Sequence, residues 1–259
     1  MRDASATGGS GSSPTLRLGL HVLVATVTVL VLVVGAAYSG ALTQQQQSAA
    51  RTTAEDEVKA LQQKAERGDA NAQCLLGSLY QLGLRGFPTD YAEAAAWYRK
   101  AAEQGHAQAQ AYLGILYRAG LGVARDYAEA AVWFRKAAEQ GDSMAQGILG
   151  EMYYLGRGVP RDEAQAVVWF RKAADQGVAD AMRHLGGCYA HGEGLPLDVV
   201  EAHKWFSLAV GWSRGYDPDV QKEYAALRDE LASRMTPAQI AEAQKRASEW
   251  MAAFEKRKK

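Results

Sequence analysis

The side chains in this chain that could do chemistry are few. His184, His191 and His203 crowd into one stretch and invite a metal site. A bound metal needs several nitrogen, sulfur or carboxylate ligands converging from compatible spacings. The gaps of seven and twelve residues between these histidines match no common ligand pattern, so satisfied or surface histidines are the simpler reading. The recurring acids Asp90/Glu93, Asp126/Glu129 and Asp198/Glu201 resemble general acid–base pairs in type. Their return at one fixed register argues for a structural duty instead. No serine begins an S-x-x-K motif, and G-x-S-x-G, H-E-x-x-H and a phosphate-cradling glycine loop are all missing. We therefore expect no enzyme, no metal and no cofactor.

Cys74 and Cys188 lie about six helix layers apart, and layers pack roughly 8–10 Å from one another. A disulfide needs Cα atoms within about 7 Å, so no bridge between them is expected. Cys188 falls at an apolar register and reads as core. Cys74 falls at a variable register and reads as accessible. Charges balance at 29 basic and 29 acidic residues, which gives no basic excess of the kind a nucleic-acid partner requires.

The elements that carry these residues follow from a spacing. Trp97, Trp133, Trp169 and Trp205 recur every 36 residues. A fixed period of this length means stacked repeats. Aligned on the tryptophans, each unit reads as a helix AQ-x-x-LG-x-x-Y-x-x-G, a short glycine-rich loop and a second helix D-x-x-[EQ]-x-x-x-W-[FY]-RKAA-[ED]-Q-G. The units run roughly 69–105, 106–141, 142–177 and 178–213, and the first has one extra residue in the loop around Leu84–Pro88. Asp90, Asp126, Asp162 and Asp198 open the second helices. With Glu93, Glu129, Gln165 and Glu201 three residues on, they predict reciprocal capping boxes. Gly105, Gly141 and Gly177 end those helices, since glycine takes the left-handed position without strain. Gly77, Gly114, Gly150 and Gly186 fall mid-helix, where glycine costs about 1 kcal/mol against alanine. Such a cost in every unit predicts close approach of two helices. The pairs Trp97/Tyr98, Trp133/Phe134, Trp169/Phe170 and Trp205/Phe206 supply buried area to each layer.

These residues resemble the Sel-one-like repeat family, relatives of the tetratricopeptide repeats with a longer period. The stretch AQAYLGILYRAGLGVARDYAEAAVWFRKAAEQG (Ala109–Gly141) carries the likeness most fully. The resemblance implies an all-α solenoid of antiparallel helix pairs that binds protein or peptide partners, with the first helix of each pair lining the concave surface. It also implies an extracytoplasmic adaptor of the kind common in the family, and leaves open a cell-wall or β-lactam hydrolase and a purely structural envelope component. Some secreted members carry a cysteine pair per repeat; this chain does not, so its units must hold by packing. Glu55–Arg67 reads as a lone capping helix before the repeats. Asp217-Pro218 and Thr236-Pro237 each open a helix in the C-terminal cap, residues 214–259.

Ahead of the repeats, residues 1–17 are rich in Ser, Gly and Thr and read as disordered. Residues 18–37 are apolar and carry no Asp, Glu, Lys or Arg. Twenty helical residues span roughly 30 Å, a bilayer core. Arg2 and Arg17 precede the run and the next basic residue is Arg51, which places the repeats outside the cytoplasm. The run is a retained anchor or a cleaved signal peptide, and its length favours the anchor over the shorter apolar core of a signal. Residues 38–53 read as a polar linker and 54–213 as the solenoid.

Positions constant among the units hold the scaffold, and those that vary are free to bind. On the first helices the variable stripe is Cys74/Ser78/Gln81, Ala111/Ile115/Arg118, Gly147/Glu151/Tyr154 and Arg183/Gly187/Ala190, which share one helical face. The candidate partner-binding residues are Ser78, Gln81, Ile115, Arg118, Glu151 and Tyr154. Aromatic and arginine anchors suit a groove for a peptide or helix.

Overall fold

The computed structural model describes residues 44–213 and 218–258, with side chains from residue 55. The expected disordered segment 1–17 and apolar run 18–37 lie outside the described residues. Among the described residues, no helix is long and apolar enough to cross a membrane, and the regular structure is eleven helices with no strand. Residues 61–259 make up one compact unit; in the unit before it, the described residues 44–60 are helical.

Helix α1 (Gln44–Glu66) begins earlier than expected. Residues 44–53, part of the stretch read as a polar linker, are helical. The Gln, Ala and Arg of this stretch are good helix formers, and they extend the helix expected over Glu55–Arg67. Four helix pairs follow: α2 (Ala70–Leu82) with α3 (Tyr91–Glu103), α4 (Ala107–Ala119) with α5 (Tyr127–Glu139), α6 (Ser143–Leu155) with α7 (Glu163–Ala174), and α8 (Ala179–His191) with α9 (Val199–Trp212). Each helix packs on its partner and each pair on the next, through α3 against α4, α5 against α6 and α7 against α8. Helices α10 (Pro218–Ala232) and α11 (Pro237–Arg257) both close on α9.

The mid-helix glycines explain the pairing distance. A Cβ on Gly150 would stand 2.6 Å from Phe170, and one on Gly186 would stand 2.7 Å from Phe206. The second aromatic of each pair therefore lies directly on the glycine of its partner helix. Tyr98, Phe134 and Phe170 are fully buried there. The tryptophans bridge instead to the preceding unit: Trp133 packs with Ala94, Ala95 and Leu113, and Trp169 with Ala130 and Leu149. Trp97, in the first unit, is only half-buried, which corrects the expectation of four equivalent core tryptophans.

The acids at the second helices cap them, but not as reciprocal boxes. Asp126 Oδ1 accepts from Ala128 N at 2.8 Å and Glu129 N at 3.0 Å. The backbone N–H of Asp126, which Glu129 was expected to satisfy, instead donates to the Tyr117 carbonyl at 3.0 Å, and those of Asp90, Asp162 and Asp198 go likewise to Tyr80, Tyr153 and Tyr189. The first helix of each unit thus takes over half of the cap, and Glu201 is free to pair with Lys204 at 2.7 Å and Arg246 at 3.1 Å. The full reciprocal box occurs at Thr236 and Gln239.

A glutamine ladder binds unit to unit. Gln110 Nε2 donates to the Ala102 carbonyl at 3.0 Å, and Gln140 Nε2 donates to Gln110 Oε1 at 2.7 Å. Gln73 with Gln104, and Gln146 with Gln176, repeat the arrangement. In the fourth unit the ladder positions are Met182 and Trp212. The stack ends there on apolar contacts: Trp212 packs edge-on against Trp250 at 5.3 Å and Phe254 at 5.1 Å.

Candidate partner-binding face

The last turns of α2, α4, α6 and α8, with the loops that follow, position the candidate residues. Each first helix stops on a left-handed glycine. In units two to four the loop then returns through a second left-handed glycine that docks on the preceding unit. At Gly122 a Cβ would fall 2.1 Å from the Tyr91 carbonyl carbon, and at Gly158 2.0 Å from the Tyr127 oxygen. These contacts fix the loop against the neighbouring unit, so residues from two units face each other across each junction.

The structure divides the six candidates. Ser78 and Gln81 are turned to Tyr98, which carries a hydroxyl where the later units carry phenylalanine. Ser78 Oγ lies 3.0 Å from Tyr98 Oη, and Tyr98 Oη donates to Gln81 Oε1 at 2.7 Å. From half-buried positions they satisfy a buried phenol. Ile115 is half-buried against Phe134, Leu149 and Met152. Cys74 is also corrected: it is buried, and burial pushes its thiol up to about 12. Ala111, its counterpart in the next unit, is fully buried, so the first position of the variable stripe faces the interior.

Arg118, Glu151 and Tyr154 come together. Arg118 Nη1 stands 3.7 Å from Glu151 Oε2, and Glu151 Oε1 stands 3.3 Å from His184 Nε2. The same His184 nitrogen is 2.7 Å from Arg183 Nη2. One ring nitrogen cannot accept from Arg183 and donate to Glu151 at once, so the proton on His184 decides which bond is made. The His184 ring stacks on Phe170 at 4.7 Å with an interplanar angle of 3°. The hydrogen bond with His184 holds the Glu151 carboxyl below the usual range, helped by Arg118 and Arg183. Tyr154 Oη donates to Glu193 Oε2 at 2.8 Å, and that bond above all pushes the phenol up to about 12.

Tyr154 is not the free aromatic the sequence suggested. Its ring lies 6.5 Å from Phe170 and 6.3 Å from His184 and packs on the core of the last two units. Three members of the cluster were missed in the sequence. Arg183 was seen only as part of the stripe, and His184 and Glu193 lie beside it. The available sign was positional: His184 replaces Leu75, Tyr112 and Ile148, and Glu193 follows Leu84, Leu121 and Arg157.

The three clustered histidines are not a metal centre. His191 Nδ1 lies 2.9 Å from the Gly187 carbonyl, and His203 is buried beside Ser207. Among the described residues, no group of histidine, cysteine and carboxylate side chains is placed to hold a metal.

The helix pairs just described coincide with four consecutive matches to the Sel1 repeat, at residues 70–106, 107–142, 143–178 and 179–210. The chain belongs to the Sel1 repeat family. Among solved structures it is similar to a Sel1 repeat protein from Oxalobacter formigenes, at 33% identity and a TM-score of 0.60, covering 78% of this chain and 79% of that one. It is also similar to c5321, a protective antigen present in uropathogenic Escherichia coli strains, at 30% identity and a TM-score of 0.50. That match covers 82% of this chain but 50% of the antigen. A search of curated proteins returns no match. Sel1 repeat proteins are generally protein-interaction scaffolds and typically not enzymes.

Proposed function

We propose that this Sel1 repeat protein is a membrane-tethered, extracytoplasmic adaptor that grips a protein partner on the first-helix face of units two to four. The observation that carries the reading is the non-repeating cluster Arg118–Glu151–His184–Arg183 with Tyr154–Glu193. The units are near copies wherever they hold the stack. Here they diverge into charged and aromatic groups that reach across two junctions. A structural ion pair this exposed adds little stability, so packing alone gives no reason for the divergence. Arginine and tyrosine are the favoured anchors of protein interfaces. The apolar run 18–37 behind Arg2 and Arg17 supports tethering with the repeats outside the cytoplasm.

The test is recovery of crosslinked partners from membranes with the full chain. Arg183→Ala and Arg118→Ala, at unchanged melting midpoint, should lose the partner that the unaltered chain recovers. Full recovery by both variants would move the site off this face. A reporter fused after Lys259 should be active only in its extracytoplasmic form, and activity of a cytoplasm-only reporter would overturn the topology.

A further inference from the structure

Equivalent positions recur at each junction between units, and the three sets of residues that fill them differ in charge. At the middle junction a depression of about 240 Å3 opens beside Arg118, Tyr127, Glu151, Met152, Leu155 and Arg157. Met152 is buried beneath it, and Leu155 is 49% exposed at its rim. At the first junction the positions of the two arginines are Gln81 and Leu121, and no charged residue replaces Glu151, which is Ile115 there. At the third, the arginine positions are Tyr154 and Glu193, which bond to each other at 2.8 Å. Only the middle niche carries cations at both positions. The backbone confirms that these loop residues correspond: the N–H groups of Leu121, Arg157 and Glu193 all donate to the equivalent carbonyls of Leu116, Met152 and Cys188.

The charges in the middle niche are unevenly spent. Glu151 is engaged chiefly by His184, and its second oxygen stands 3.7 Å from Arg118, beyond hydrogen-bonding range. Arg118 therefore keeps most of its fork of donors available. Arg157 is exposed and makes no side-chain bond within the described residues. Two guanidinium groups against one carboxylate leave the niche net positive, beside an aliphatic rim. Guanidinium forks match carboxylates in shape as well as charge.

We propose that the middle niche reads an acidic side chain, Asp or Glu, flanked by an aliphatic or aromatic residue in the partner's chain. The carboxylate bridges Arg118 and Arg157, and the apolar neighbour covers Leu155 and Ala119. This rests on the adaptor reading above and adds the chemistry of the recognised segment.

An immobilised peptide array tests it, with every ordered pair of amino acids at two central positions, probed with the full chain in detergent. The expected result is enrichment of Asp or Glu next to Leu, Ile, Met or Phe. Replacing the acid by its amide should weaken the signal about tenfold or more, as expected for a charge-assisted contact, as should Arg157→Gln and Arg118→Gln. Arg161→Gln should leave it unchanged, because Arg161 is already paired with Glu163 at 2.8 Å. Enrichment of basic pairs, enrichment indifferent to the acid, or no enrichment would overturn the inference. If membrane recovery of the partner still depends on Arg183 in that case, the adaptor reading stands and only this inference fails. If partner recovery is indifferent to the face as well, both fail.

Discussion

Tyr154 shows how one residue can serve both the stack and a partner. Its ring packs beside Phe170 and His184, and its hydroxyl reaches Glu193 in the next unit. Tyr154→Ala should therefore lower stability by about 2 kcal/mol, less than full truncation of a core aromatic because the ring is half-buried. Tyr154→Phe removes one hydrogen bond and should cost about 1 kcal/mol. The phenylalanine variant is thus the cleaner probe of binding, and denaturant midpoints of the two variants check the ordering. His203 supplies a second residue-scale prediction. It is buried, and desolvation, with Arg228 nearby, holds its imidazole below the ordinary value of 6.5. The unfolded chain therefore takes up the proton first as pH falls. This contribution to stability is complete above 6.5 and is lost on acidification until the folded imidazole also titrates. Desolvation lowers His106 as well and acts with the same sign. Melting temperature should fall between pH ~7 and ~5, and His203→Gln should flatten that fall. An unchanged slope would show that His203 gains its proton as easily folded as unfolded.

At the scale of the element, the sharpest contrast is between two adjacent glycines in α8. A Cβ on Gly186 would stand 2.7 Å from Phe206, whereas one on Gly187 would meet nothing within 4 Å. Gly186→Ala should therefore destabilise by about 1–3 kcal/mol through overpacking. Gly187→Ala should stabilise by up to about 1 kcal/mol through helix propensity alone. Equal effects would mean that helix pairing does not depend on the glycine–aromatic contact. This contact was legible in the sequence, because a costly residue recurring mid-helix has few explanations. The second-helix starts were legible only in part. Asp126 and Glu129 have the spacing of a reciprocal box, yet the Asp126 N–H is claimed by Tyr117 of the preceding helix. A local motif shows which groups could bond and not which distant carbonyl competes for them. The ladder of Gln73, Gln110 and Gln146 was hidden for a related reason. Amide side chains look like ordinary polar helix positions until two units are stacked and their hydrogen bonds are traced.

Across the whole molecule, the four units share a scaffold and differ at their junctions. Stability in such a stack is a sum of unit and neighbour terms, and the ladder, the tryptophans and the docked loops supply the neighbour terms here. The period and boundaries of the units were readable from tryptophan spacing, since packing imposes the same residue in every layer. The binding face was not readable to the same degree. Variability among units does not separate a solvated position from one, like Ser78 or Cys74, that adapts to a local core. Exposure in the folded stack makes that separation, and it allows a direct test of the adaptor reading. Leu155 on the first-helix face and Val132 on a second helix are similarly exposed, at 49% and 44%. A photo-crosslinking amino acid at each position, introduced into the full chain in intact cells, samples the two surfaces equally. The account predicts a discrete crosslinked partner from position 155 and none from position 132. A partner captured only from position 132, or from neither, would contradict it.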